Sequence, residues 1–159
     1  WNQDRVAGGE AIQRSRVSSR EPQSMAWSDR TLLLKLTLAL VMLVHSVPGM
    51  FNGGVNAFGN LYLNAAGFAP FGVPLAWAIK LSHVAMAAAL LSGRFLKPLG
   101  WITILILVTG IIMVHGREGW FVVGGGRNGV EFNVLLIAAF LTVLYPDGFR
   151  RRSAGAAPR

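Results

Sequence analysis

Five ionisable residues fall inside long apolar stretches of this chain: Lys35, His45, Lys80, His83 and His115. Glu131 stands at the edge of another such stretch. Ionisable groups are costly in an apolar medium, and where they are kept they mark a site by default. Lys80 and His83 are the most informative pair. At about 100° per residue, Ala76, Lys80, His83 and Ala87 share one helix face, so a cation and an imidazole stand one turn apart. A lysine in that position needs a carboxylate or loses its charge. Glu131 is the carboxylate available at that depth, so the pattern predicts a Lys80–Glu131 contact, direct or through water. Ala78, Ser82, Ala85 and Ala89 form the opposite face, a stripe of small residues suited to helix packing. Lys35 lies about a turn from the start of its stretch and can snorkel. His45 is followed by Pro48-Gly49, which should kink or end its helix.

These residues predict a polar pocket opening to the outer face of a helix bundle, lined by His45, Lys80, His83, His115, Asn128 and Glu131. Its chemistry suits a quinone or another small redox ligand. The alternative is a structural hydrogen-bond network without chemistry. Histidines on separate helices can also ligate haem. That requires matched depth on facing helices, which three scattered histidines do not specify, so haem is disfavoured and no metal site is expected.

A second pattern is "GREGWFVVGGGRNGVEF", residues 116–132. Gly124, Gly126 and Gly129 stand at G-x-G-x-x-G spacing after the apolar run Trp120–Val123, and Asp147 follows 18 residues beyond the last glycine. On spacing alone this is a dinucleotide fingerprint. Its context is wrong. The glycines sit between two apolar helices, not between the strand and helix of a soluble sheet. Asp147 lies roughly 24 Å away along the following helix at 1.5 Å per residue. No dinucleotide is expected at Gly124–Gly129. The local reading is a tight turn, with Asn128 and Glu131 at capping-box spacing and Trp120–Val123 as an interfacial segment that dips toward the bilayer.

The elements that must position these residues follow from composition. The chain has 159 residues, 53% hydrophobic and 14% charged, with a mean hydropathy of +0.48. A soluble domain carries about 25% charged residues. Four apolar segments predict an all-α integral membrane four-helix bundle, up-down-up-down: about 31–51, 72–92, 99–115 and 130–145. The first two have the length of a span, about 17–25 residues. The last two are short, and one or both should extend by a turn into their flanks. Residues 52–71 read as an uncharged loop. Arg30, Arg94, Lys97 and Arg150–Arg152 place both termini and the 93–98 turn in the cytoplasm by the positive-inside rule. Trp77, Trp101, Trp120 and Tyr145 fall near segment ends, where interfacial aromatics belong.

Residues 1–24 read as a disordered polar tail. "MAWSDRT" begins at Met25, and the reading takes Met25 as the start, with the preceding residues not native. Residues 25–148 are the membrane domain and 149–159 a basic cytoplasmic tail. The net charge of +8 is spread over the ends and one turn, so it indicates orientation and no nucleic-acid face. The absence of cysteine excludes disulfides, thiol nucleophiles and thiolate metal sites.

Over about residues 30–148 the chain resembles the DoxX-like family of small four-helix membrane proteins. The resemblance rests on "HSVPGMFNGG" at 45–54, "IKLSHVAMAAALLSGRFLKPLG" at 79–100, "IIMVHGREGW" at 111–120 and "GGRNGVEFNVLLIAAFLTVLYPDG" at 125–148. His115 matches the polar residue typical of the end of the third helix. His83 stands near where many members carry an acidic residue. The resemblance implies a multi-pass protein of the inner (plasma) membrane, described as an oxidoreductase and tied to redox homeostasis. Some relatives are linked to thiosulfate:quinone oxidoreductase; others associate with superoxide dismutase and a sulfurtransferase. Lacking cysteine, this chain would leave the electrons to a quinone or to redox partner proteins. The expected function is a quinone-interacting or redox-complex membrane subunit. The alternative is a non-enzymatic scaffold, assembly subunit or small-solute carrier in the lipid bilayer.

Overall fold

A computed structural model describes residues 29–123 and 128–148. The tails at 1–24 and 149–159 lie outside the described residues, as do Gly124 and Gly126 of the glycine pattern. Every regular element among the described residues is helical. α1 is Leu32–Phe51, and α2 is the short Gly54–Ala57, which runs on as a π-helix over Phe58–Phe68. α3 is Gly72–Ser92, α4 is Leu96–Met113 and α5 is Glu131–Leu144, with a 3-10 turn at His115–Glu118 before it.

α1, α3 and α4 have 20, 21 and 18 residues and are long and apolar enough to cross a membrane. In lipid such segments must satisfy their backbone internally, which helices do. α3 matches its expected bounds. α4 begins three residues earlier than the 99–115 reading and stops at Met113, which puts His115 in the turn beyond it. α5 gains no extra turn and, at 14 residues, is shorter than the 130–145 reading.

The largest departure is at 52–71, where helix replaces the expected loop. This stretch carries no charge and no regular apolar period, so the sequence hides its helicity. Packing explains it. Gly59 and Gly72 meet backbone to backbone: a Cβ on Gly59 would run into Val73, and one on Gly72 into the Gly59 carbonyl. Asn64 Oδ1 accepts from the Gly72 amide at 2.9 Å, which satisfies one of the open donors where α3 starts. Trp77 Nε1 donates to Asn56 Oδ1 at 2.8 Å. Val55, Leu63 and Ala76 form the small core beneath.

The main core joins Leu38 and Met42 of α1, Met86 and Leu90 of α3, Leu107 of α4 and Phe140 of α5. α1 packs along α3, α4 lies against α3 and α5, and α5 returns to α1. α3 and α4 are joined by a turn of three residues, closed by Gly93 in the left-handed region at φ 72°, as helix C-termini commonly are. Lys35 reaches back along α1 to Asp29, whose carboxylate also holds the Thr31 amide and hydroxyl at 2.8 and 2.7 Å. Lys35 therefore leaves the apolar stretch, as a snorkelling lysine should.

Candidate functional site at the α1–α3 contact

The inward face of α3 is the one its 100° spacing selects. Ala76, His83 and Ala87 are buried, His83 with only 3% of its surface exposed. Lys80 shares the face and is half-buried. Opposite them on α1 stand His45 and the fully buried Ser46. The His45 and His83 rings are 5.7 Å apart, tilted by 55°.

Pro48 shapes the α1 side of this contact. It has no N–H for the Val44 carbonyl, and its ring crowds that turn of the ladder. The helix continues only to Phe51. The adjacent His45 carbonyl accepts from Lys80 Nζ at 3.2 Å. The Lys80 ammonium also lies 5.9 Å from the centre of the Phe58 ring, within cation–π range. Phe58 in turn stacks on Tyr62 at 5.7 Å.

Ser46 Oγ and His83 Nδ1 are 3.3 Å apart. Among the described residues this is the only partner of the Ser46 hydroxyl. Hydrogen-bond accounting assigns the proton. If the hydroxyl donates to Nδ1, both groups are satisfied and the ring proton sits on Nε2. The reverse leaves the hydroxyl proton and the Nε2 lone pair both unpaired. His83 Nε2 is buried and is the one described side-chain polar atom of that kind with no hydrogen-bond partner. An orphan of this sort costs about 1–3 kcal/mol. The cluster thus brings together an imidazole N–H and the Lys80 amine, two donors with no carboxylate between them among the described residues. Such a pair suits an oxygen acceptor.

The expected Lys80–Glu131 contact is not made directly. Among the described residues the one ion pair is Lys35–Asp29. Glu131 Oε1 instead accepts from the Val122 amide at 2.9 Å. Nor do Asn128 and Glu131 form a capping box. Glu131 is the first residue of α5, and Asn128 is in the left-handed region at φ 56°. Two of the open amides at the start of α5 are met by backbone: Val130 N–H donates to the Gly119 carbonyl and Glu131 N–H to the Trp120 carbonyl, each at 3.1 Å. Gly129 makes this possible, because a Cβ there would collide with the Trp120 and Phe121 carbonyls.

The six expected pocket residues therefore fall into two groups. His45, Lys80 and His83 gather at α1–α3. His115, Asn128 and Glu131 belong to the turn between α4 and α5, where His115 Nδ1 is 2.6 Å from the Asn128 carbonyl oxygen. The small stripe of α3 does not pack within the chain as expected: Ala78 and Ala85 face outward, Ser82 is half-buried and only Ala89 is buried.

Sequence reasoning missed Ser46 and Asn133. Ser46 precedes Pro48 by two residues on the inward side of α1, and the i, i+4 relation to the buried Met42 was available as a signal. Asn133 is buried and donates to the Leu107 carbonyl at 3.4 Å; it sits one turn before the buried Leu136. Among the described residues no three His, Asp or Glu side chains converge to hold a metal. No family model, curated protein or solved structure matches this chain.

Proposed function

We propose that this chain is a DoxX-like membrane subunit that receives the oxygen head of a quinone at the α1–α3 cluster, in a redox complex of the inner membrane. The observation that carries the reading is the buried, unpartnered His83 Nε2 beside an ammonium without a carboxylate. A quinone offers what these donors lack: a carbonyl acceptor on a ring that dissolves in lipid. In the same proposal α1, α3, α4 and α5 cross the bilayer up-down-up-down. Both ends are cytoplasmic, following the positive charges at Arg30, Arg94, Lys97 and Arg150–Arg152. The test is extraction of lipids from protein purified in mild detergent, with a quinone-analogue reduction assay. Wild-type protein should retain quinone and His83→Ala should lose it. Absence of quinone from the wild type, with no difference in the variant, refutes the proposal.

A second reading, a non-enzymatic scaffold or assembly subunit, is favoured by the outward-facing Ala78 and Ala85 of α3. Small residues on a lipid-exposed face let another helix approach closely. It predicts that protein partners co-purify and that Ala85→Leu releases them while leaving His83 unaffected.

A further inference from the structure

Asn133 and His115 have hydrogen-bonding capacity that the described chain leaves unused. Asn133 is only 7% exposed, and its Nδ2 donates to the Leu107 carbonyl at 3.4 Å. That contact fixes the orientation of the amide, since the flipped form would set oxygen against oxygen. A carboxamide has two N–H donors and an acceptor oxygen. Leu107 takes one donor; the other and Oδ1 have no partner among the described residues. His115 Nδ1 lies 2.6 Å from the Asn128 carbonyl oxygen. A carbonyl only accepts, so Nδ1 carries the proton, and Nε2 of the neutral ring keeps a bare lone pair. No described group donates to it.

Gly110, in the last turn of α4, is where the two converge. A Cβ at Gly110 would have Asn133 Nδ2 at 3.4 Å and the Cδ2 and Nε2 of His115 at 3.7 and 3.9 Å. Those are ordinary van der Waals distances, so packing does not demand glycine here. Glycine inside a helix is also less stable than alanine, so a methyl would favour the fold if nothing else used the space. The bare face of Gly110 thus has an amide nitrogen that donates on one side and an imidazole nitrogen that accepts on the other.

We infer that the space over Gly110 is a binding site for a hydroxyl group, whose O–H donates to His115 Nε2 and whose oxygen accepts from Asn133 Nδ2. One oxygen that both donates and accepts answers this pair. A carbonyl or a carboxylate does not, because neither has a proton to give to Nε2. The hydroxyl comes from water, for which two polar partners are the working minimum, or from a lipid-soluble alcohol or phenol. The site is chemically the opposite of the α1–α3 cluster, where donors gather, and it does not depend on any quinone there.

Gly110→Ala is the variant to test, because its methyl fits the protein and takes the place of the ligand. The readout is nitrogen NMR of histidine-labelled full-length protein in liposomes, in alkaline buffer that keeps the rings neutral. Wild-type His115 should show a protonated Nδ1 and a bare Nε2, with Nε2 shifted upfield as a nitrogen that accepts a hydrogen bond. Gly110→Ala should move Nε2 to the unbonded position, with an unfolding midpoint equal to or above that of the wild type. Gly110→Ser brings a hydroxyl of its own to the same place and should keep Nε2 upfield. Magnetisation passing from water to Nε2 in the wild type marks water as the source. An upfield Nε2 without that transfer marks an organic hydroxyl retained from the membrane. A wild-type Nε2 at the unbonded position overturns the inference, as does an upfield Nε2 that Gly110→Ala leaves unmoved.

Discussion

Ser46→Ala is the sharpest probe of the α1–α3 cluster, because the assigned proton position of His83 depends on one hydroxyl. Ser46 Oγ lies 3.3 Å from Nδ1, inside a contact where both residues are buried. A hydrogen bond of this kind contributes about 1 kcal/mol net. Set against RT of about 0.6 kcal/mol, that biases the ring toward the Nε2–H form by roughly fivefold. Deleting the hydroxyl removes the bias and leaves Nδ1 unpaired in the interior, a loss of about 1–3 kcal/mol in stability. Nitrogen NMR of histidine-labelled protein reads the tautomer directly, and three histidines keep the spectrum simple. Wild-type His83 should show a protonated Nε2 and a bare Nδ1. Ser46→Ala should show a mixture and a lower unfolding midpoint, while Ser46→Thr, which keeps the hydroxyl, should stay close to wild type. A wild-type His83 protonated at Nδ1 refutes the assignment, and with it the claim that the cluster offers a donor to its ligand.

Lys80→Met should keep or slightly raise thermal stability, since an ammonium without a carboxylate is replaced by a chain that packs in lipid. Retained quinone should fall at least about tenfold, the worth of roughly 1.4 kcal/mol of lost charge-assisted contact; a marked loss of stability instead makes Lys80 structural. Gly59→Ala should destabilise the π-helix against α3 by about 1–3 kcal/mol, because its Cβ would run into the Val73 backbone. An unchanged melting temperature contradicts that close approach. Asp29 titrates at about 2, held below its ordinary 3.8 first by the Lys35 amine and then by the Thr31 hydroxyl and amide. A lowered folded value means the contribution is complete above 3.8 and fades as pH falls through about 2. Hydrogen exchange in the first turn of α1 should therefore speed up, beyond its intrinsic pH dependence, on going from pH 4 to 2. Asp29→Asn should lack that extra change, and matching profiles for the two proteins refute the reading.

The spans were legible because lipid imposes one simple demand on the chain. Long apolar runs with few charges must be helices, and α1 and α3 fall where their runs do, to within a residue. The inward face of α3 was legible for a similar reason: the helical period alone puts Ala76, His83 and Ala87 together. What the pattern hid was structure held by single backbone contacts. The π-helix depends on Gly59 meeting Gly72 and on Asn64 reaching the Gly72 amide, and no periodicity announces either. The start of α5 looked like a capping box, but Gly129 lets the Trp120–Phe121 backbone come close enough to meet the open amides first. The Glu131 side chain does not reach back to Asn128 and accepts from the Val122 amide instead.

That arrangement decides which groups Lys80 meets. Glu131 is the carboxylate that opens α5, and its Oε1 is committed to a backbone amide. Asp29 is committed to Lys35. With those two committed elsewhere and no ion pair formed by Lys80 among the described residues, its amine has the His45 carbonyl and the Phe58 ring as described partners. A carbonyl and an aromatic face leave N–H donors over, and His83 Nε2 adds another. The α1–α3 cluster has more donors than acceptors among the described residues, and Glu131, the acceptor that sequence spacing offered it, is turned to the Val122 amide. Restoring an acceptor tests the coupling: Ser46→Asp places a carboxylate between His83 and His45. It should hold the His83 ring in its doubly protonated form at neutral pH and displace an oxygen-bearing ligand from the cluster. Nitrogen NMR reads the first and lipid extraction the second. Quinone retained at the wild-type level beside that carboxylate refutes the donor-excess account.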